Sequence, residues 1–266
     1  MQEVYEYRNG DWHDLSIPSH QIPLSKIPEI TWGTPSKIFS PAFWRYQHWI
    51  QYELENQSLP EYRLGKTLLE ETLACALGGH GLKAEVSLAY FEKLRNEGLL
   101  QRANPQLEEI QDFLHTPLLI RGRSVRYRFW RTKGMTIHKI LTIHRDLLER
   151  EADWSESAEA LRGRLMEISG IGPKTASWIA RNWTRSGSIA VIDIHILRAL
   201  EHLGIRQNKI HTKKEYLKTE QMFLKFSESI GTPAQTLDLI IWSTMRQIPH
   251  TISKKTFDTP QALVMA

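Results

Sequence analysis

Residues 165–195 read LMEISGIGPKTASWIARNWTRSGSIAVIDIH and contain the most informative structural signals of the chain. An amphipathic helix runs into a turn that contains Gly170 and Gly172, and Pro173 follows at a first helical position, where a missing N–H is tolerated. A second helix therefore begins at once. Such a glycine hairpin lets the backbone approach a partner and point free N–H groups at it, and phosphate is the natural ligand for such donors. Taken alone, the pattern also fits an ordinary turn between two helices.

Lys174 lies in the first turn of the second helix. The positive end of the helix dipole and a nearby basic stretch both disfavour an ammonium ion there, so we expect the pKa of Lys174 to fall towards neutrality. A neutral amine is a nucleophile, and lysines activated in this way form Schiff bases with carbonyl-like carbons. The sequence therefore predicts a nucleophilic lysine beside the hairpin.

Asp193 follows the apolar run at residues 189–192 and precedes another helical pattern. This position favours an N-cap role, and capping aspartates greatly outnumber catalytic ones. The cap also keeps the carboxylate ionised, because N–H donors and the helix dipole stabilise its charge. An anion fixed at a helix end can face a developing cation, so both a capping and a catalytic role stay open.

The composition is that of an ordinary globular protein, with 266 residues, 41% of them hydrophobic and 24% charged. Neither a signal sequence nor a run of eighteen apolar residues is present, so we expect a cytoplasmic protein with no membrane partner. The single cysteine, Cys75, excludes an intramolecular disulfide and any site made of several thiolates. We expect chemistry without a metal or another cofactor.

The stretch from Arg121 to Arg145 contains eight basic residues and no acidic one, although the net charge of the chain is only +4. Segregated cations suit a polyanion, because each Lys or Arg beside a phosphate releases a condensed counterion. Arg126, Arg128 and Lys133 are the candidate DNA contacts. A solvated helix face would give the same pattern, and the sequence alone does not choose between the two.

Helical periodicity dominates the chain from Pro41 onward, and strand signals are few and short, so we predict a mostly α fold. Residues 1–60 form a separate N-terminal extension of unassigned role. Its first 40 residues contain four prolines and little helical periodicity, so we expect an extended arm or short strands against the body.

The blocks ISGIGPKTASWIARN and IAVIDIHILRAL, together with VRYRFWRTKGMTIHKIL upstream and LDLIIWSTMRQ downstream, resemble the helix-hairpin-helix (HhH-GPD) DNA glycosylases. Within that superfamily they are most similar to 8-oxoguanine DNA glycosylase/AP lyases. The resemblance extends from about Leu68 to about Gln247. It implies two helical lobes around a central cleft in residues 61–266: a hairpin lobe at about 100–205, and a second lobe formed by 61–99 with 206–266.

The resemblance also implies a function, namely base excision repair of double-stranded DNA that contains a damaged base. The enzyme would be a bifunctional DNA glycosylase/AP lyase that excises an oxidised purine, 8-oxoguanine foremost. Lys174 would attack C1′ of the damaged nucleoside, and Asp193 would stabilise the cationic sugar and assist proton transfer. His195 would hold a phosphate or brace the loop.

Three further residues receive candidate roles from the resemblance. His80, in the loop GGHG, would fill the gap that the extruded base leaves in the duplex; a plain glycine turn is the alternative. Asp238 and Trp242 are four residues apart on one helix, so an acceptor and an aromatic ring would contact the extruded purine together. The alternative is that Trp242 belongs to the core and that Asp238 caps or pairs with an arginine.

Two other functions remain open on the sequence. The chain would be a DNA-binding module without activity if it had kept only the hairpin. Alternatively, it would act on a modified nucleobase or nucleic acid in a bacterial antiphage system, since some 8-oxoguanine-glycosylase-like proteins are associated with antiphage operons. Protein partners and oligomeric state leave no signal in the sequence.

Overall fold

The computed structural model describes residues 1–55, 62–79, 81–150, 157–205 and 210–248. Helices dominate this part of the chain, which confirms the predicted mostly α class. The α-helices are α1 (Pro41–His48), α2 (Leu68–Leu77), α3 (Ala84–Asn96), α4 (Leu107–His115), α5 (Trp130–Thr142), α6 (Arg145–Glu149), α7 (Ala158–Leu165), α8 (Pro173–Thr184), α9 (Ile194–His202), α10 (Lys213–Ser229) and α11 (Ala234–Gln247). The strands form two antiparallel hairpins, β1 (Gln2–Arg8) with β2 (Asp11–Ile17) and β3 (Leu118–Ile120) with β4 (Arg123–Val125).

The chain divides into two compact units whose boundaries differ from those of the predicted lobes. The terminal unit contains Met1–Pro60 and Gly187–Ala266, and the central unit contains Glu61–Ser186. The segment before Asp193 therefore groups with the C-terminal helices and not with the hairpin at Gly170. The physical reason is the N-terminal region, whose apolar side chains complete the core of the C-terminal helices.

The N-terminal extension is an integral part of the terminal unit. Strands β1 and β2 pair from Gln2 with Ile17 to Arg8 with Asp11. Alternate residues of a strand point to opposite faces, and on β2 this places Leu15 and Ile17 in the core. Helix α1 begins at the Ser40 cap, whose hydroxyl accepts from the Phe43 amide at 3.0 Å.

The core of the terminal unit joins this extension to α9, α10 and α11. Its larger members are Leu15, Ile17, Leu24, Ile27, Trp32, Phe39, Trp44, Trp49, Ile196, Leu200, Tyr216, Phe223, Phe226, Leu237, Ile240, Ile241 and Met245. Burial of so many large apolar side chains is the main favourable term for this unit.

The central unit holds the glycine hairpin and is organised around α2, which is buried over nearly its whole length. Glu71 of α2 is fully buried and accepts hydrogen bonds from the Leu64 and Gly65 amides and from Asn182 Nδ2 at 2.7 Å. Asn182 lies on α8, so this contact ties the helix that carries Lys174 to α2. A buried carboxylate is tolerated there because donors surround it.

In the part of the chain that the structure describes, no helix is both long enough and apolar enough to span a membrane.

Candidate active site

The predicted hairpin is present in the central unit between α7 and α8. Helix α7 follows the Ser157 cap, and α8 follows the Gly172 cap, with Pro173 as its first residue. Gly170 has φ +94°, a left-handed conformation that favours glycine. A Cβ at Gly170 would overlap Oγ1 of Thr136 and lie 2.9 Å from its Cγ2, so the hairpin packs closely against α5.

The two glycine amides of the hairpin are open. Gly170 and Gly172 are exposed, and their N–H groups donate to no acceptor in the described part of the chain. By contrast, the Ile171 amide between them donates to the Ile168 carbonyl at 3.0 Å. A hairpin that leaves alternate amides unbonded at a helix N-terminus offers donors to an anion.

Lys174 is partly buried in the first turn of α8. A second lysine, Lys133 of α5, lies near enough for the two charges to interact: burial and, to a smaller extent, the charge on Lys174 lower the pKa of Lys133. Lys174 of the hairpin therefore has a second lysine close enough to interact with it electrostatically.

Lys133 occupies a different position from the one predicted for a DNA contact. It is 7% exposed, and its ammonium donates to the Ala76 carbonyl at 2.6 Å and the Gly78 carbonyl at 3.3 Å. Between them, the Leu77 carbonyl accepts from the hydroxyl of buried Tyr127. Because the last carbonyls of a helix have no partner within it, Lys133 and Tyr127 satisfy the C-terminal end of α2.

Arg126 and Arg128 do reach the surface. The sequence alternates Arg126, Tyr127 and Arg128, and the structure places Tyr127 inside and both arginines outside. The Arg128 guanidinium stacks over the Phe129 ring at 4.3 Å. Elsewhere in the basic stretch, Arg121 pairs with Glu85, Lys139 contacts Ser169 and Arg145 pairs with Glu149.

Asp193 is the N-cap of α9 in the terminal unit. The side chain is 9% exposed, and its Oδ1 accepts from the His195 amide at 2.8 Å and the Ile196 amide at 3.0 Å. Its second oxygen, Oδ2, accepts no hydrogen bond from the described residues. One oxygen therefore holds the helix while the other is left for a further contact.

Three other predicted residues lie near Asp193 in the same unit. The ring of His195 meets the ring of Trp242 edge-on, with centroids 6.4 Å apart. Trp242 is partly buried, and Arg246 covers one of its faces at 4.6 Å. Asp238 is 2% exposed, and its Oδ2 accepts from the Val191 amide at 3.1 Å. This oxygen of Asp238 is therefore bonded to the backbone, unlike the free acceptor expected for a base contact.

The predicted wedge, His80, lies outside the described residues. Gly79 and Gly81 on either side both have positive φ, +85° and +71°, and a Cβ at either would meet nothing within 4 Å. Both glycines therefore have a left-handed backbone conformation that favours glycine.

Comparisons with known proteins identify the family. A family model described as 8-oxoguanine DNA glycosylase (Ogg-HhH) matches residues 54–232. The chain belongs to the 8-oxoguanine DNA glycosylase family. This assignment confirms the predicted resemblance.

Two curated relatives of this family are named "8-oxoguanine DNA glycosylase/AP lyase". The protein of Metallosphaera sedula is 30% identical over 195 residues, which cover 70% of this chain and 88% of the relative. That of Thermotoga petrophila is 31% identical over 198 residues, covering 71% and 87%. The predicted enzyme class, a DNA glycosylase with AP-lyase activity, is the class of these relatives.

A solved structure of the same family shares the fold. The 8-oxoguanine glycosylase/lyase of Methanocaldococcus jannaschii, in complex with a 15mer DNA containing 8-oxoguanine, has a TM-score of 0.56 and 22% identity. The likeness covers 77% of this chain and 98% of that one. It confirms a helical fold of the Ogg type.

The structure also shows residues that the sequence analysis missed. Glu220 and Tyr216 of α10 are each 3% exposed and contact the backbone just before Asp193. The available signal was their position on the apolar face of α10, together with Phe223 and Phe226. In this Ogg-family chain an acidic residue on a buried helical face marks a fixed backbone contact, because an unpaired carboxylate would not be tolerated there.

Proposed function

We propose that this chain is a bifunctional DNA glycosylase/AP lyase that excises an oxidised purine, 8-oxoguanine foremost, from double-stranded DNA. The observation that carries the proposal is the hairpin of the central unit, where Lys174 begins a helix directly after two open glycine amides. Membership of the Ogg family and the names of the relatives support the same substrate class. Since the substrate is cellular DNA, we also propose a cytoplasmic location.

In the proposed reaction, the uncharged Lys174 amine attacks C1′ and the bond from C1′ to the base nitrogen breaks. The departing base takes up a proton, and the amine loses one. Opening of the sugar ring leaves an imine between Lys174 and C1′. Loss of a C2′ proton then expels the 3′ phosphate by β-elimination, and water releases the lysine.

Asp193 supports the cleavage electrostatically in this proposal. The sugar acquires positive charge as the base leaves, and a carboxylate held in place lowers the energy of that state. Oδ1 is committed to the cap of α9, so Oδ2 is the oxygen that we assign to the sugar. Asp193 also takes part in proton transfer.

DNA binding is assigned to separate groups. The Gly170 and Gly172 amides bind a phosphate, and the exposed Arg126 and Arg128 add charge contacts to the backbone. For the base we propose the ring of Trp242, since a flipped base is held by stacking. We keep the proposal that His195 holds a phosphate or braces the loop; its ring meets that of Trp242 edge-on.

The decisive experiment traps the imine. Borohydride reduces the Schiff base between wild-type protein and an 8-oxoguanine duplex, and we expect a covalent protein–DNA band. Lys174→Ala abolishes this band, whereas Lys225→Ala, which removes an exposed lysine of α10, leaves it unchanged.

Other outcomes would assign the chain elsewhere. Salt-sensitive duplex binding without any adduct would indicate a non-enzymatic DNA-binding module. An adduct that forms only with another lesion would change the substrate and keep the mechanism. Activity on modified free nucleosides but not on duplexes would favour a role such as antiphage defence.

A further inference from the structure

The residues just before Asp193 are fixed in an unusual way. Residues 189–192, Ile-Ala-Val-Ile, belong to no helix and pair with no strand among the described residues. Ile189, Ala190 and Ile192 are buried. We call residues 189–192 the anchored segment. Its buried backbone amides need acceptors from elsewhere, because each one left unpaired would cost about 1–3 kcal/mol.

Side chains of α10 and α11 provide those acceptors. The Ala190 amide donates to Glu220 Oε1 at 3.0 Å, the Val191 amide to Asp238 Oδ2 at 3.1 Å, and the Ile192 amide to the Tyr216 hydroxyl at 3.0 Å. The Tyr216 hydroxyl in turn contacts the Ala190 carbonyl at 3.3 Å. Three consecutive amides are thus held by three different side chains.

The anchored segment leads directly into the Asp193 cap. Asp193 follows the segment directly and has extended backbone angles, φ −106° and ψ −175°. On its other side, Oδ1 holds the first amides of α9. The position of the free Oδ2 therefore depends on both the helix and the anchored segment.

Two of the three anchors are carboxylates on otherwise apolar helix faces. Burial of an acid is unfavourable unless hydrogen bonds surround it, and an apolar side chain at either place would pack without that cost. The two acids accept hydrogen bonds that fix the backbone before Asp193, and apolar residues could not do this. Catalytic groups need this kind of support, because a displacement of about 1 Å can cost roughly 10²-fold in rate.

We propose that Tyr216, Glu220 and Asp238 are positioning residues for the Asp193 carboxylate. This inference rests on the proposed function, since it concerns the excision step of that reaction. It gives Asp238 a role in placing the catalytic acid in addition to, or in place of, contact with the base.

The test separates excision from strand cleavage. Single-turnover release of 8-oxoguanine from a duplex measures the step that Asp193 supports. Cleavage of a duplex with a preformed abasic site measures the amine alone, because that sugar already presents an aldehyde at C1′. Half-saturation by DNA is measured in both assays.

Tyr216→Phe removes the acceptor of the Ile192 amide and keeps the buried ring. We expect base release to slow about 10–100-fold, with half-saturation unchanged within about twofold and abasic-site cleavage unchanged within about threefold. Glu220→Ala behaves like Tyr216→Phe. Glu220→Gln keeps an acceptor oxygen and restores the rate to within about threefold of wild type.

The outcomes distinguish this inference from the function on which it rests. Wild-type protein that neither releases a base nor cleaves abasic DNA overturns the function and the inference together. An active wild type whose Tyr216→Phe and Glu220→Ala variants release the base at full rate overturns the inference alone. So does an equal loss in both assays, which would indicate a general structural defect; thermal unfolding of each variant identifies that case.

Discussion

The end of α2 and the anchored segment solve the same problem with opposite charges. At the end of α2, three successive carbonyls of residues 76–78 accept from Lys133 and Tyr127. In the anchored segment, three successive amides of residues 190–192 donate to Glu220, Asp238 and Tyr216. Each place combines one tyrosine hydroxyl with buried ionisable side chains, one at the end of α2 and two at the anchored segment.

The kind of backbone group left without a partner explains why the buried side chain is basic at the end of α2 and acidic at the anchored segment. Carbonyls left over at a helix C-terminus attract a cation, whereas buried amides of a segment that has no partner strand among the described residues attract acids. Each group precedes a residue with a predicted role: His80, which lies outside the described residues, in one unit and Asp193 in the other. The glycine hairpin is the contrasting third region, because its amides stay open.

The largest expected effect concerns Asp193, the residue that follows the anchored segment. Asp193→Asn keeps an oxygen for the α9 cap, and Asn and Asp cap helices about equally well. It removes the negative charge, so we expect base release to fall about 10²–10³-fold while the thermal midpoint stays within about 2 °C of wild type. Single-turnover excision and thermal unfolding measure the two quantities.

A matched variant separates the charge of Asp193 from its cap. Asp193→Ala removes both, so it also lowers the free energy of unfolding, by about 0.5–2 kcal/mol. If Asp193→Asn excises the base as fast as wild type and only Asp193→Ala is impaired, Asp193 is a capping residue and the catalytic assignment is wrong.

Several features of the candidate site could be predicted from the local sequence. The hairpin with Pro173 in the first turn of α8 and the Asp193 cap both follow from residues adjacent in the chain. The signals are strong because caps and glycine turns act over a few residues. The helical class also followed, since periodicity is local as well.

The errors concern contacts between distant residues. Charge alone groups Lys133 with Arg126 and Arg128, yet the Lys133 ammonium bonds carbonyls 57 and 55 positions away in the sequence. Glu220 bonds an amide 30 positions away, and no local pattern reveals that partner. The boundaries of the lobes could not be predicted from local sequence either, because the N-terminal strands complete a core formed by the last helices.

The next effect concerns the close packing of the hairpin turn on α5. Gly170→Ala places a methyl group against Thr136 at a residue with φ +94°, so we expect a loss of roughly 3 kcal/mol in unfolding free energy. Gly172→Ala is the matched control, because its φ is −87° and a Cβ there meets nothing within 4 Å. Urea unfolding should show a large loss only for Gly170→Ala; equal stability of both variants would contradict the close packing of this turn on α5.

The smallest effect separates the buried cation from the exposed one. Lys133→Met leaves the Ala76 and Gly78 carbonyls without their donor, so we expect a loss of about 2 kcal/mol in unfolding free energy. Because its ammonium does not reach the surface, the slope of log affinity for DNA against log salt stays unchanged. Arg126→Ala gives the reverse result, with unfolding free energy within about 0.5 kcal/mol of wild type and a salt slope reduced by about 1. If Lys133→Met reduced the salt slope as much as Arg126→Ala does, Lys133 would be a phosphate contact. The comparison between the end of α2 and the anchored segment would then fail.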